Sequence, residues 1–105
     1  MTYEKSLTAL ADPTRRQIFE KLRFGPSTVG ELAATLPVSR PAVSQHLKVL
    51  LEAELVRKRS EGTRRIYSIE TRGLEALRHY LDGFWSDVLS AFAAEAERQS
   101  SGGEK

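Results

Sequence analysis

Two helix-start signals lie eleven residues apart in the first half of the chain, and they constrain its fold more than any other feature. The stretch Thr28-Val-Gly-Glu31 has the spacing of a capping box, with Thr28 as N-cap and Glu31 as the third helical residue. Pro37 ends that helix, and Ser39 is the N-cap of a second helix, which tolerates Pro41 in its first turn. Two short helices joined by a turn of about three residues are typical of the helix-turn-helix motif, whose second helix enters a duplex groove.

The second helix, from Arg40 to about Ala53, is predicted to have one apolar and one polar face. Val43, Leu47, Leu50 and Leu51 lie on the apolar side and are expected to pack inward. Arg, Gln and Ser on the other face can hydrogen-bond the edges of bases in the major groove. The caps and outer face of the motif are therefore expected to contact DNA through Thr28, Ser39, Arg40, Ser44, Gln45, His46 and Lys48. Local packing is an equal alternative for His46, which lies between the two faces.

A basic hairpin is predicted directly after this motif. Two β-prone runs, Leu55–Ser60 and Thr63–Ile69, flank Glu61-Gly62, which is a hairpin signal. Between positions 57 and 65 five Lys and Arg stand against one acid, whereas the whole chain has a net charge of only +2. A basic hairpin beside a helix-turn-helix is a wing, and it indicates a polyanionic partner at this edge of the protein. The wing residues expected to contact phosphates and the minor groove are Arg64, Arg65 and Arg59.

The upstream part of the chain predicts two more helices. A short apolar stripe of Leu7, Leu10 and Ala11 indicates the first. Asp12-Pro13 begins the second, because Asp caps well and Pro fits the first helical position, and Gly25-Pro26 ends it. With the long helix described below, the expected fold is mostly α-helical: a winged helix-turn-helix of five helices and a two-stranded wing.

The 105 residues make one small domain, expected to span 1–99, with a polar tail at 100–105 expected to be disordered. The sequence has no Cys, which excludes disulfides, thiolate metal sites and cysteine nucleophiles. No apolar run approaches the ~18 residues of a membrane-spanning helix and no signal peptide is readable, so we expect a cytoplasmic protein without a membrane partner. No nucleophile with an orienting group is visible, and we expect neither enzymatic activity nor a cofactor.

The last predicted helix is too long to be covered by its own domain. Thr71 caps it, and it runs from about Arg72 to Arg98, or ~40 Å, whereas a compact domain of about 70 residues is under ~30 Å across. Its apolar residues cover about half of its circumference, which is wider than one neighbour requires. We therefore expect a homodimer, with Leu7, Leu77, Leu81, Phe84, Trp85, Val88 and Phe92 at the interface. Gly83 either permits close approach of two helices or marks a bend.

Five spaced stretches occur in an order that resembles the ArsR family of bacterial winged-helix repressors. They are Leu10-Ala-Asp-Pro-Thr-Arg-Arg-Gln-Ile-Phe19, Val29-Gly-Glu-Leu-Ala33, Val38-Ser-Arg-Pro-Ala-Val-Ser-Gln-His-Leu-Lys-Val-Leu50, Leu55-Val56 and Gly62-Thr-Arg-Arg-Ile-Tyr67. The resemblance covers roughly residues 5–95. It implies a dimer that binds a palindromic operator in double-stranded DNA near a promoter and blocks transcription. Many members leave DNA when an effector binds; the sequence names no effector here.

Two departures from the family's pattern bear on structure and function. Glu54 stands where the family commonly has Gly before the wing, so either Glu54 is strained by roughly 1 kcal/mol in a left-handed cap or the turn differs. Metal-sensing members carry Cys pairs on the first helix of the motif, where this chain reads Glu31-Leu-Ala-Ala-Thr-Leu36. Others carry paired Asp and His ligands on the last helix, where this chain has the single His79. The metal-sensing role is therefore not carried over, and no metal ligand is assigned.

Two other functions are compatible with the sequence. A metal- or small-ligand-gated sensor of the same fold could use Glu75, His79 and Asp82, which share one helix face, although such sets are more often surface ion pairs. The aromatic candidates for an effector pocket are Tyr80, Phe84, Trp85 and Phe92, which at helical spacing are more typical of a dimer core. The second alternative is a winged-helix protein-interaction module, which would not require a basic wing.

Overall fold

The computed structural model describes residues 3–103, and side chains as far as residue 99. Within that range the chain forms five α-helices and one antiparallel sheet. The helices are α1 (Tyr3–Ala11), α2 (Pro13–Lys21), α3 (Val29–Ala34), α4 (Arg40–Glu52) and α5 (Arg72–Gly103), and the strands are β1 (Ser27–Thr28), β2 (Val56–Glu61) and β3 (Arg64–Ile69). A 3₁₀ turn, Leu22–Phe24, follows α2 and ends at Gly25. The predicted winged helix-turn-helix fold is confirmed.

The core lies where α1 to α4 meet the base of the hairpin. It is built from the inward residues of each element, which are fully or almost fully buried: Ala9, Ile18, Leu22, Leu32, Val43, Leu47, Leu50, Leu55 and Val56. Val43, Leu47 and Leu50 of the predicted inner face of α4 belong to this cluster, whereas Leu51 is half-buried and packs against it. Burial of that face fixes which side of α4 is turned to solvent.

The sheet has three strands in the order β1-β3-β2, so the prediction of a two-stranded wing was incomplete. The additional strand β1 is two residues long and pairs with the middle of β3, Ser27 opposite Tyr67 and Thr28 opposite Ile66. The sequence did not predict β1, since two residues are too short to show a β-prone pattern and Thr28 reads as the N-cap of α3. The turn of the hairpin is Gly62-Thr63, one residue later than expected, and Gly62 has a φ of 63°.

Glu54 adopts the left-handed conformation, with a φ of 58°. The amide of Leu55 donates to the carbonyl of Leu50 at 3.0 Å, and the amide of Glu54 donates to the carbonyl of Leu51 at 3.0 Å. These two bonds form the Schellman arrangement that ends a helix. Of the two alternatives, the strained cap is therefore the correct one, and it directs the chain from α4 into the wing.

Helix α5 begins against the end of α4 and then leaves the core. It packs on α1, where the rings of Tyr3 and Tyr80 stack with centroids 4.0 Å apart. Beyond that point its side chains are exposed as far as residue 99. The protein extends 73 Å along its longest axis but only 26 and 21 Å along the others. The helical backbone continues to Gly103, past the expected end at Arg98, while Glu104 and Lys105 of the predicted tail lie outside the described residues.

Candidate nucleic-acid interface

The outer face of α4 carries the predicted base-reading residues. Arg40, Ser44, Gln45 and Lys48 are all exposed, whereas the residues of the opposite face are fully buried. Ser39 caps the helix: its hydroxyl accepts a hydrogen bond from the amide of Ala42 at 3.2 Å. The face is therefore held by a capped, well-packed helix, and its polar side chains are free to meet a ligand.

Thr28 lies at a different place from the other predicted contacts. It is half-buried at the edge of the sheet, and its hydroxyl accepts from the amide of Glu31 at 3.2 Å. The carboxylate of Glu31 in turn accepts from the Thr28 amide at 2.9 Å, which completes the predicted capping box. Its first role is thus to begin α3, and only its hydroxyl proton is left for a phosphate.

His46 is half-buried, unlike its neighbours on α4. It lies near Asp12, the N-cap of α2, whose carboxylate accepts from the amide of Arg15 at 2.9 Å. That hydrogen bond is the main cause of a lowered pKa of Asp12, and the attraction of His46 lowers the pKa of this carboxyl further. The half-buried position is compatible with the local alternative for His46, in which the side chain packs or bonds locally.

The hairpin separates the three predicted wing residues onto two faces. Arg64 lies directly opposite Glu61, and Arg59 is two residues before Glu61 on the same strand, so Arg59 and Arg64 share one face of the hairpin. Arg65 lies opposite Ser60 on the other face. Arg59 is also engaged, with its guanidinium 3.2 Å from the carboxylate of Glu61. Arg64 and Arg65 are exposed, and neither has an acid within 4.0 Å in the described part of the chain.

A stripe of exposed apolar side chains follows α5 and continues on α1. The exposed fractions are 43% for Leu7, 48% for Leu81, 57% for Phe84, 61% for Trp85, 38% for Val88, 49% for Leu89 and 73% for Phe92. Leu77, nearer the core, is half-buried. Apolar patches of this size and aromatic content on a single protein chain mark interaction surfaces.

The candidate metal ligands on α5 are not brought together with others. Among residues 3–99, no three His, Cys, Asp or Glu side chains are close enough to share a metal ion. Asp82 instead pairs with Arg78 at 3.5 Å. His79 lines a cleft of about 550 Å³ beside the stacked tyrosines, and of the four aromatic candidates for an effector pocket only Tyr80 lines that cleft.

Two arginines had a structural role that sequence reasoning missed. Nη1 of Arg15 donates to the carbonyl of Ala9 at 3.0 Å, and Nη1 of Arg16 donates to the carbonyl of Leu10 at 2.7 Å. These carbonyls belong to the last turn of α1, where cations are favourable. The sequence shows both arginines just after the start of α2, but it does not mark where α1 ends, so these bonds to the α1 carbonyls could not be predicted.

In the described residues, no helix has the length and apolar character needed to span a membrane.

The chain is similar in sequence to known bacterial transcriptional regulators. Residues 12–58 match the family described as bacterial regulatory protein, arsR family. The HTH-type transcriptional regulator Rv2034 of Mycobacterium tuberculosis is 58% identical over 90 residues, which are 86% of this chain and 84% of that protein. The transcriptional repressor SdpR of Bacillus subtilis is 37% identical over 67 residues, 64% of this chain and 74% of that protein.

A solved structure agrees over a similar length. The crystal structure of a possible transcriptional regulator for arsenical resistance superposes with a TM-score of 0.70 and 46% sequence identity, covering 85% of this chain and 93% of that one. Fold, sequence and the exposed polar helix beside a basic hairpin thus agree. The chain belongs to the ArsR family of bacterial regulatory proteins and is a DNA-binding regulator of transcription.

Proposed function

We propose that the protein is a cytoplasmic repressor that binds a palindromic operator as a homodimer, with residues 1–99 as the DNA-binding and dimerisation domain. The observation that carries the proposal is the pairing of two exposed surfaces on one chain: the polar face of α4 with the wing, and the apolar stripe of α5. The first surface fits one DNA half-site. The second fits another copy of the same chain, which would supply the second half-site about 34 Å away.

The proposed roles on DNA follow from side-chain chemistry. Arg40 and Gln45 can pair with guanine and adenine edges, and Ser44 with several edges. Lys48, Ser39 and Thr28 suit phosphates, as do the wing arginines Arg59, Arg64 and Arg65; His46 would contact DNA only from the edge of the face. Each phosphate neutralised should add about −0.9 to the slope of log affinity against log salt.

The division between reading and anchoring is tested with two alanine variants. Gln45→Ala should weaken binding to the operator by about 5- to 100-fold and leave random-sequence DNA almost unchanged, because it removes base contacts. Arg64→Ala should weaken both DNAs alike and flatten the salt dependence by about one phosphate. The probes are a palindrome selected from random DNA by the wild-type protein and an unselected duplex.

Matched controls lie outside the proposed interface. Gln17→Ala on α2 and Arg78→Ala on α5 remove the same groups from exposed positions and should change neither affinity. Losses from Gln45→Ala and Arg64→Ala that are small and equal on both DNAs would refute the assignment of these roles.

The dimer is tested by the mass in solution. The chain has a mass of 11.8 kDa, so light scattering at micromolar concentration should give twice that value. Phe84→Ser with Trp85→Ser should shift the protein to the single-chain mass, because a polar group replaces an aromatic anchor. Phe24→Ser is the control, since Phe24 is 80% exposed but lies after α2, away from α5. A single-chain mass for the wild type with its palindrome present would refute the proposal.

Repression is tested with purified components. When the selected palindrome is placed across a promoter, the wild-type protein should lower transcript yield in proportion to occupancy, and Gln45→Ala should require more protein for the same effect. Transcript yield that rises with occupancy would show an activator instead.

A further inference from the structure

The recognition helix begins with an arginine that folds back onto the helix before it. Gly30 is the second residue of α3, and Arg40 is the first residue of α4. A Cβ atom placed on Gly30 would lie 3.0 Å from Nη2, 3.2 Å from Cζ and 3.6 Å from Nη1 of Arg40. The guanidinium of Arg40 therefore occupies the space that a side chain at position 30 would fill.

Nothing in the local backbone requires glycine at position 30. Among the described residues, the glycines with positive φ are Gly25 and Gly62, so Gly30 has a φ that any residue adopts. The capping box of α3 is made by Thr28 and Glu31 and does not involve position 30. Alanine is the better helix former by up to about 1 kcal/mol. What glycine provides here is room for the guanidinium.

We propose that Gly30 is a positioning residue for DNA recognition, because it leaves open the space that the Arg40 guanidinium occupies before DNA binds. The inference rests on the proposed contact of Arg40 with the operator. Ordinary contacts begin near 3.4 Å, so a Cβ at position 30 would displace the guanidinium by about half an ångström or send it to another rotamer. A fork that pairs with a base edge through two hydrogen bonds tolerates only about that much error.

A double-mutant cycle isolates this role. Arg40→Ala should weaken binding to the wild-type-selected palindrome by about 5- to 100-fold, the value of one bidentate contact. Gly30→Ala should weaken it by about 3- to 10-fold when Arg40 is present and by less than about twofold in the Arg40→Ala background. Thermal unfolding of Gly30→Ala should occur at or above the wild-type temperature, so that weaker binding accompanies unchanged or greater stability.

The outcomes separate this inference from the proposed function. An equal loss from Gly30→Ala in both backgrounds, or no loss when Arg40→Ala itself weakens binding, overturns the role of Gly30 and leaves the proposed function intact. An Arg40→Ala variant that binds the palindrome like the wild type removes the underlying DNA contact. If Gly30→Ala lowers the unfolding temperature, the unfolding temperatures of the same four proteins are compared. A loss caused by the guanidinium should disappear in the Arg40→Ala background, and a loss that persists there overturns the proposal.

Discussion

Gly73 is the position at which one added methyl group should do the most damage to this fold. It is the second residue of α5, it is buried, and its amide donates to the carbonyl of Glu54 at 2.9 Å. Its carbonyl accepts from the hydroxyl of the fully buried Ser6 at 2.9 Å. A Cβ at this position would lie 2.3 Å from the carbonyl oxygen of Ala53 and 3.0 Å from that of Glu54. Three helices thus meet around a glycine that has no space for a side chain.

The cost of Gly73→Ala follows from these distances. An oxygen at 2.3 Å must retreat by about 1 Å to reach ordinary contact, and because it belongs to the backbone, the start of α5 must move away from the end of α4. Overpacking of this kind costs about 1–3 kcal/mol. The two hydrogen bonds are worth about 1 kcal/mol each, and Ser6 would be left buried without its acceptor. Allowing for partial relaxation, we expect a loss of about 2–4 kcal/mol, or roughly 10–25 °C in Tm.

Urea unfolding followed by circular dichroism, at one fixed protein concentration, measures this loss. Gly30→Ala is the matched control, since Gly30 is also the second residue of its helix but a Cβ there meets only the flexible end of Arg40. Ser6→Ala should cost about 1 kcal/mol, because it removes one of the two hydrogen bonds. A free energy of unfolding for Gly73→Ala within about 0.5 kcal/mol of that for Gly30→Ala would refute the close approach.

Four further variants follow from single features. Glu54→Gly should raise the free energy of unfolding by about 0.5–1 kcal/mol, because relief of the left-handed strain exceeds the lost exposed pair with Arg72; a lower urea midpoint would contradict this. Thr28→Ala should lower the free energy of unfolding by about 1 kcal/mol, whereas Thr28→Ser keeps the capping hydroxyl and should not; equal urea midpoints for Thr28→Ala and the wild type would contradict this. The pKa of Asp12 is lowered below 3.8, so the wild type's advantage over Asp12→Asn is complete above about pH 4 and is lost as the pH falls through the lowered pKa; a Tm difference unchanged down to pH 2 would refute it. Glu61→Gln should tighten binding to any duplex by about 2- to 5-fold in a filter assay, since it removes an acid between two wing arginines; weaker binding would contradict it.

The helix-turn-helix could be predicted because its boundaries are set by neighbouring residues. Thr28 and Glu31 cap each other three residues apart, and the hydroxyl of Ser39 caps α4 in the same way. Such bonds form within one turn of chain and leave a readable spacing. For Glu54 the sequence left two alternatives, a strained left-handed cap and a different turn, and only the Schellman bonds of the structure decide for the first.

The features that the sequence did not reveal are those made by distant residues. Strand β1 exists because Ser27 and Thr28 pair with the middle of β3, about forty residues later. Gly73 is required by Ser6, which is 67 residues away in sequence, and by two carbonyls at the end of α4. A glycine in the first turn of a helix has no local mark that distinguishes a crowded site from an open one. The same holds for Gly30, whose neighbour is a side chain on the next helix.

The distribution of paired charges explains how a chain with a net charge of +2 can bind DNA. Glu70 and Glu54 pair with Arg57 and Arg72, Asp82 with Arg78, and Glu95 with Arg98, so the acids offset cations at the base of the wing and along α5. In the described residues, the cations without such a partner include Arg40, Lys48, Arg64 and Arg65, on the outer face of α4 and at the end of the hairpin. Because unpaired charges dominate the field near a surface, these four cations give the proposed DNA-facing surface a local positive charge that the net charge of the chain does not reveal. Within the wing, Arg64 and Arg65 should therefore contribute more than Arg59, whose guanidinium must first give up Glu61.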